Sequence, residues 1–182
     1  MGRIGVSRIP LQVDVGFGDS VVPAPRTVEL PALLGHAPPR LSAYRRETVV
    51  AEKFHAIVDL GFTNARMKDY FDLWFLSANF AFDGVTLAEA IAATFDRRST
   101  TIPDALPIGL SGEFANEPTK RAQWLGFLRR SGLQADEIGL GKAVSVIGEV
   151  LGPPLAMARS RDFMKMSWPQ GGPWRAIPEP AQ

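Results

Sequence analysis

A change of hydrophobic period at Glu47 constrains the fold of this 182-residue chain more than any other feature. From that point apolar residues recur at the three- and four-residue spacing of amphipathic helices. Before it, several prolines between Pro23 and Pro39 exclude a continuous helix, because proline lacks the amide hydrogen that a helix needs. The sequence therefore predicts a short β-segment followed by a helical bundle, an α+β fold that is mostly α.

Two strands are expected ahead of the helices. In residues 9–17 apolar side chains alternate with polar residues and glycines, the period of a strand with one buried face. Gly16, Gly18 and Asp19 offer a turn after it. Residues 27–30 form a second, shorter candidate strand, and the proline-rich stretch is predicted to connect along the sheet edge.

The first two helices carry signals at their ends. Gly61 is placed to end the first helix in a left-handed cap, and Thr63 or Asn64 can cap the second. The third helix is predicted to open with a capping box formed by Thr86 and Glu89. The side chains expected to face inward include Val50, Phe54, Ile57, Leu60, Met67, Phe71, Trp74, Phe75, Leu87, Ile91 and Phe95.

Two further helices and a tail complete the chain. The fourth helix is predicted over residues 117–130, with Trp124, Phe127 and Leu128 inward, and the fifth over residues 136–151. Pro153 and Pro154 are expected to stop the fifth helix. The Trp- and Pro-rich residues 161–182 are predicted to be irregular and to dock on the body through their tryptophans.

Composition excludes several classes of function. The 20 basic and 19 acidic residues nearly cancel, so the chain lacks the net positive charge typical of non-specific nucleic-acid binders. The absence of cysteine excludes a disulfide scaffold, a thiolate metal site and a cysteine nucleophile. Neither a signal peptide nor the roughly 20 apolar residues of a membrane span is found. A cytoplasmic protein without a membrane partner is expected.

Asp14 is the first candidate functional residue. It lies within the first predicted strand, where aspartate is disfavoured, and a buried carboxylate is costly unless it is paired or binds a metal. The structural alternative is that Asp14 faces solvent on the polar side of an edge strand.

Charged residues on the first helix form a second group. Glu52 and Lys53 follow Arg45, Arg46 and Glu47, and such a set is usually a solvated helix face. Lys53 is unusual because it borders the apolar stripe of the helix. Its ammonium group either extends outward to solvent or points into a cleft.

The third group lies on the second helix, in residues 66–74. Asp69 and Asp72 are three residues apart and share a helix face, while Lys68 and Asp72 are four apart and can pair. Large aromatic residues surround these charges. Partial desolvation by such neighbours shifts pKa values and is common at functional sites.

Taken together, residues 11–19, 47–53 and 66–73 resemble the blocks of the AbiEii/AbiGii-type nucleotidyltransferase toxins, members of the DNA polymerase β-like superfamily. The resemblance extends over almost the whole chain. It implies that residues 1–40 are the C-terminal part of a nucleotidyltransferase sheet. Residues 41–160 would then be a helical domain with the Glu-Lys and Lys-Asp-x-x-Asp motifs, and residues 161–182 a docking tail.

The resemblance also implies roles for individual residues. Asp14 would hold Mg²⁺ against the phosphates of a nucleotide triphosphate, Lys53 would neutralise charge on the triphosphate, and Asp69 would lie near the nucleotide. Supporting contacts to the nucleotide are implied for Glu52, Arg66, Lys68 and Asp72, and contacts to phosphate or RNA for Arg45, Arg46 and Arg66.

The implied activity is transfer of a nucleotide from a triphosphate to an RNA, with tRNA the expected acceptor and an antitoxin the expected protein partner. The family's Gly-Ser or Gly-Gly turn followed by Asp-x-Asp is missing from this sequence, so a truncated and incomplete enzyme is expected. The alternatives are a catalytically inactive helical module that binds an antitoxin or nucleic acid, and a gene remnant that folds poorly.

Overall fold

Helices form most of this chain in its computed structural model, which describes residues 2–10, 12, 21–32, 35–133 and 138–178. The fold is α+β and mostly α, as predicted. The helices are α1 (Arg46–Leu60), α2 (Met67–Asn79), α3 (Gly84–Arg97), α4 (Gly112–Asn116), α5 (Pro118–Arg130) and α6 (Leu140–Ser160). The strands are β1 (Gly2–Ile4), β2 (Ser7–Ile9), β3 (Arg26–Glu29), β4 (Arg40–Ala43), β5 (Phe82–Asp83), β6 (Met166–Trp168) and β7 (Arg175–Ala176).

The core lies where α1, α2, α3 and α6 pack together. Phe54 of α1 and Phe95 of α3 are fully buried, with their ring centroids 5.7 Å apart. Most residues predicted to face inward do so, but Leu60 and Phe75 are 36% and 44% exposed. One apolar residue of α1 and one of α2 therefore lie beyond the surface that the neighbouring elements cover.

Three small antiparallel sheets accompany the helices in the described ranges. β3 pairs with β4, with Val28 opposite Leu41, and confirms the strand predicted near residues 27–30. β4 was not predicted, and it begins directly after the last proline of the proline-rich stretch. β1 and β2 form a hairpin. Most of the strand predicted over residues 9–17, Asp14 included, lies outside the described residues, and the division into three domains stays a prediction.

The helix starts differ in detail from the sequence-based prediction. α3 begins at Gly84 because Asp83 is its N-cap: Asp83 Oδ1 accepts hydrogen bonds from the Thr86 amide at 2.8 Å and the Thr86 hydroxyl at 2.7 Å. The predicted capping box at Thr86 is therefore wrong. The N-cap of α2 is Arg66, without a side-chain cap, so the predicted cap by Thr63 or Asn64 is wrong. Asn64 Oδ1 instead accepts a hydrogen bond from the amide of Arg66 at 2.8 Å.

Gly61 does end α1, and its φ of +52° is one that glycine adopts readily. Its ψ of −133° differs from that of the predicted left-handed cap. The 3₁₀ turn Gly61–Thr63 follows directly.

The fifth predicted helix is longer than expected. α6 runs through Pro153 and Pro154 to Ser160, so the prediction that these prolines stop it is wrong. In a helix the amides of residues 153 and 154 would bond to the carbonyls of Glu149 and Val150. In α6 the Trp174 indole nitrogen lies 3.2 Å from the Glu149 carbonyl oxygen and 3.1 Å from that of Val150. The indole N–H thus donates to the carbonyls that the prolines leave without a helix amide.

The C-terminal segment docks as predicted, although it is not irregular. β6 lies between β5 and β7 in an antiparallel sheet. Trp168 is 2% exposed, and its indole N–H donates to the Ser77 carbonyl at 2.8 Å. No helix among the described residues is long and apolar enough to cross a membrane.

Candidate functional site

A cluster of buried charges joins α1 to α2. The Lys53 ammonium lies 2.6 Å from Asp69 Oδ1 and 2.7 Å from Asp72 Oδ2. The side chains of Lys53, Asp69 and Asp72 are only 18%, 10% and 23% exposed. The spacing of the two aspartates on one helix face lets them hold one ammonium group between them. The structure thus brings together residues that the sequence placed on two separate helices.

Two outer cations complete this cluster. Arg66 Nε lies 3.1 Å from Asp69 Oδ2, and Lys68 Nζ lies 2.6 Å from Asp72 Oδ2. Both outer side chains are largely exposed, at 62% and 71%. Three cations therefore surround two carboxylates, and the positive charge that remains is on the solvent side of the cluster.

The pKa values of Lys53 and Asp72 are both shifted in favour of their charged forms. Burial alone would lower the pKa of Lys53, but its hydrogen bonds to Asp69 and Asp72 and their negative charges outweigh burial and raise the pKa. For Asp72, burial acts to raise the pKa, whereas its hydrogen bonds to Lys53 and Lys68 outweigh that effect and lower it. Each group thus stabilises the charged form of its partner.

Glu52, which precedes Lys53 in α1, forms another ion pair. Glu52 accepts a short hydrogen bond from the Arg98 guanidinium, which follows the end of α3. His55, one helical turn from Glu52, lies 2.9 Å from the Thr100 hydroxyl and packs edge-to-face with the Phe95 ring. Burial, with the nearby Arg98 charge, lowers the pKa of His55 and favours its neutral form.

These groups line a cleft of about 410 Å³, within the size range of small-molecule sites. Its walls carry charges of both signs and one exposed aromatic ring. The lining residues are Tyr44, Val49, Glu52, Lys53, His55, Ala56, Asp59, Leu60, Arg66, Asp69 and Arg98. Arg98 and His55 were not predicted from the sequence, because their place in the cleft depends on how α3 packs against α1.

Other predicted residues lie elsewhere. Arg45 Nε is 3.8 Å from Glu47 Oε2, and Arg46 lies over the Phe80 ring at 4.7 Å, so neither lines the cleft. Lys68 and Asp72 support the cluster from its edge and do not line the cleft either. Asp14, the predicted metal ligand, lies outside the described residues.

The described residues do not fit a Mg²⁺ site. Within the described ranges, no three His, Asp or Glu side chains come together as metal ligands. Asp69 and Asp72 both have Lys53 against them, so their oxygens already have a cationic partner. Any magnesium site in this protein would therefore need ligands from other residues.

Arg66 and Lys53 line this cleft, and the N–H groups of arginine and lysine suit phosphate oxygens. The family model of the nucleotidyl transferase AbiEii toxin, type IV toxin–antitoxin system, matches residues 2–148. The chain belongs to this family, which confirms the resemblance found in the sequence. Comparison with curated proteins and with solved structures gives no match.

Proposed function

We propose that this protein transfers a nucleotide from a nucleoside triphosphate to an RNA acceptor, with the triphosphate bound in the cleft between α1 and α2. The observation that most supports this proposal is that the Lys53 ammonium lies between Asp69 and Asp72 at the wall of that cleft. Membership of the nucleotidyltransferase toxin family supports the reaction type. The RNA acceptor, with tRNA the first to test, is part of the proposal.

Positive charge is the main contribution of these residues to such a reaction. When an RNA hydroxyl attacks the α-phosphorus, a P–O bond to the leaving pyrophosphate breaks and negative charge increases on the phosphate oxygens. Lys53 of α1 and Arg66 at the start of α2 both line the cleft. Their ammonium and guanidinium N–H groups suit phosphate oxygens. Asp69 contacts both cations and so fixes their positions.

The carboxylates of the cluster are already paired with Lys53 and do not offer free ligands to magnesium. Nucleotidyl transfer of this type uses a divalent metal to neutralise the phosphates. We propose Asp14 as one of its ligands.

The proposal is tested by incubating the protein with each of the four labelled nucleoside triphosphates, Mg²⁺ and total tRNA. We expect label to enter RNA with the wild-type chain. Lys53→Ala and Asp69→Ala should each lower incorporation by about 100-fold or more, since each removes or misplaces charge at the reacting phosphates. Lys142→Ala, which removes an exposed helix lysine outside the cleft, is the matched control.

Two outcomes would count against the proposal. If Lys53→Ala or Asp69→Ala retained wild-type incorporation, the site assignment would be wrong. If no nucleotide were incorporated by the wild-type chain, the transfer reaction itself would be refuted for this polypeptide. Incorporation by the wild-type chain is the result we expect, and it would show that the expectation of an incomplete enzyme, which came from the missing Asp-x-Asp block, is wrong.

A second function is favoured by one specific observation. Lys53 is already neutralised by two carboxylates, as in a helix-packing ion pair that needs no ligand. This supports an inactive helical module that binds an antitoxin or nucleic acid. In the assay above, this candidate predicts no incorporation by any variant, with the fold and partner binding intact.

A further inference from the structure

A second cavity lies beside the nucleotide cleft, between the start of α2 and the middle of α5. It has a volume of about 330 Å³. Three cationic side chains line it, namely Arg66, Lys68 and Arg130, and no carboxylate of the described residues does. Arg66 lines both this basic cavity and the nucleotide cleft, so the two are adjacent.

The cations of the basic cavity remain available to a ligand. Arg66 meets Asp69 through Nε, and Lys68 is 71% exposed beyond its contact with Asp72. Arg130 is exposed at the end of α5 and makes no ion pair with any residue in the described ranges. A cavity lined by one sign of charge attracts a polyanion.

Aromatic rings continue from this cavity along α2. Phe127 lines the cavity, and its ring centroid lies 5.7 Å from that of Phe71. Phe71 is 6.2 Å from Phe75, and Phe75 is 6.3 Å from Phe80. We call these four phenylalanines the aromatic track. Phe75 and Phe80 are 44% and 36% exposed, whereas Phe71 and Phe127 are partly buried against the core.

Positive charge lies at both ends of the aromatic track. Lys68, Phe71 and Phe75 follow helical spacing and share one face of α2, so the basic cavity leads onto the rings. At the far end the Arg46 guanidinium lies 4.7 Å from the centroid of the Phe80 ring. The carboxylate of Asp72, which borders this face, is neutralised by Lys53 and Lys68.

We infer that the basic cavity and the aromatic track together bind a single-stranded segment of the RNA acceptor. Its phosphates would occupy the basic cavity and its unpaired bases would stack on the rings, the combination by which proteins hold single strands. An RNA duplex matches less well, because its bases are stacked on one another and their faces are not free. An acidic peptide would meet the charges but would leave the aromatic track unused.

This inference rests on the proposed function for the identity of the acceptor, and it gives the acceptor a location. Because Arg66 is common to both sites, a strand held in the basic cavity would bring an RNA hydroxyl toward the triphosphate cleft. Binding of RNA alone is measurable without nucleotide, so the two proposals can fail separately.

The test is fluorescence anisotropy of a labelled single-stranded oligouridylate of about 12 nucleotides, with the full chain, over a series of salt concentrations. Arg130→Ala should weaken binding and lower the slope of log K against log salt by about 0.7, the value for one phosphate contact on a single strand. Phe75→Ala should weaken binding roughly tenfold by loss of base stacking and leave the slope unchanged.

Matched controls separate binding from folding. Lys142→Ala removes an exposed cation and Met164→Ala an exposed apolar side chain, both outside the basic cavity and the aromatic track, and neither should change affinity. Circular dichroism checks that Phe75→Ala is folded, and Arg130→Lys should restore the salt slope that Arg130→Ala loses.

Several results would overturn the inference. These are equal affinity for a duplex of the same length, unchanged binding by both Arg130→Ala and Phe75→Ala, and displacement of the RNA by polyglutamate at equal charge concentration. Loss of nucleotide transfer with oligouridylate binding intact would refute only the proposed function. Transfer that persists while these two variants bind RNA normally would refute only the location of the acceptor strand.

Discussion

Lys53 determines the electrostatics of the site, because two carboxylates share its ammonium group. Asp69 and Asp72 are only 10% and 23% exposed, and burying a carboxylate is costly unless it is paired with a cation. The sequence allowed the aspartates to be placed on one helix face. Their shared contact with Lys53 could not be predicted, because it depends on the packing of α2 against α1.

Replacement of Lys53 should therefore lower stability as well as activity. Lys53→Ala leaves the two carboxylates without their central partner, and we expect a loss of about 1–3 kcal/mol in the free energy of unfolding. Urea denaturation measures this value. Lys142→Ala should stay within about 0.5 kcal/mol of the wild type. An unchanged midpoint for Lys53→Ala would show that the cluster does not contribute to stability.

The cluster also predicts a pH dependence of stability. The pKa of Asp72 is lowered from 3.8 in the folded state, so its contribution is complete above pH 3.8 and is lost as the pH falls through the lowered value. The pKa of Lys53 is raised from 10.5, so its contribution is complete below pH 10.5 and is lost as the pH rises through the higher value. Urea midpoints of the wild type and Asp72→Asn should differ most between these limits and converge in acid. A constant difference down to the lowest pH would contradict the assignment.

At the level of elements, α6 shows how a helix continues through two prolines. The Trp174 indole N–H lies against the carbonyls of Glu149 and Val150, which lack helix amides because residues 153 and 154 are proline. Proline rules alone predict a helix end there, and they fail because the missing donor comes from a distant residue in the C-terminal segment. The start of α3, in contrast, is determined by a nearby residue. Asp83 is a good N-cap residue and caps the helix in place of the predicted capping box at Thr86.

The contact between Trp174 and α6 can be measured by a double-mutant cycle. Trp174→Phe removes the donor and keeps an aromatic ring, and we expect it to cost about 1–2 kcal/mol in urea denaturation. In a Pro153→Ala, Pro154→Ala background the helix supplies its own amides, so the same change should cost less. Equal costs in the two backgrounds would show that the indole hydrogen bonds are unimportant.

At the level of the whole molecule, the helical core was the most predictable part. Strong apolar periodicity identified Phe54, Leu87, Ile91 and Phe95, and all four side chains are fully buried. The residues that pair across distant segments were not predictable. Glu52 pairs with Arg98 because the helical bundle brings α1 close to the end of α3. β5 pairs with β6, and β6 with β7, although each of these strands is too short to show a strand pattern in the sequence.

The buried core sets the scale of the largest mutational effects. Phe54 is fully buried against Phe95, so Phe54→Ala should lower the free energy of unfolding by about 3–5 kcal/mol. Phe75→Ala is the comparison, because Phe75 is 44% exposed and should cost much less. Thermal or urea unfolding distinguishes the two, and similar losses would contradict the burial described for these rings.

The paired tryptophans of the C-terminal segment give the protein an optical signal of its own. The Trp168 and Trp174 rings have centroids 5.7 Å apart and planes inclined at 64°. Indoles so close and so inclined couple their excited states, which produces a circular dichroism couplet that vanishes when the rings separate. Closure of this segment onto α6 can thus be followed in the unlabelled protein, independently of helix content.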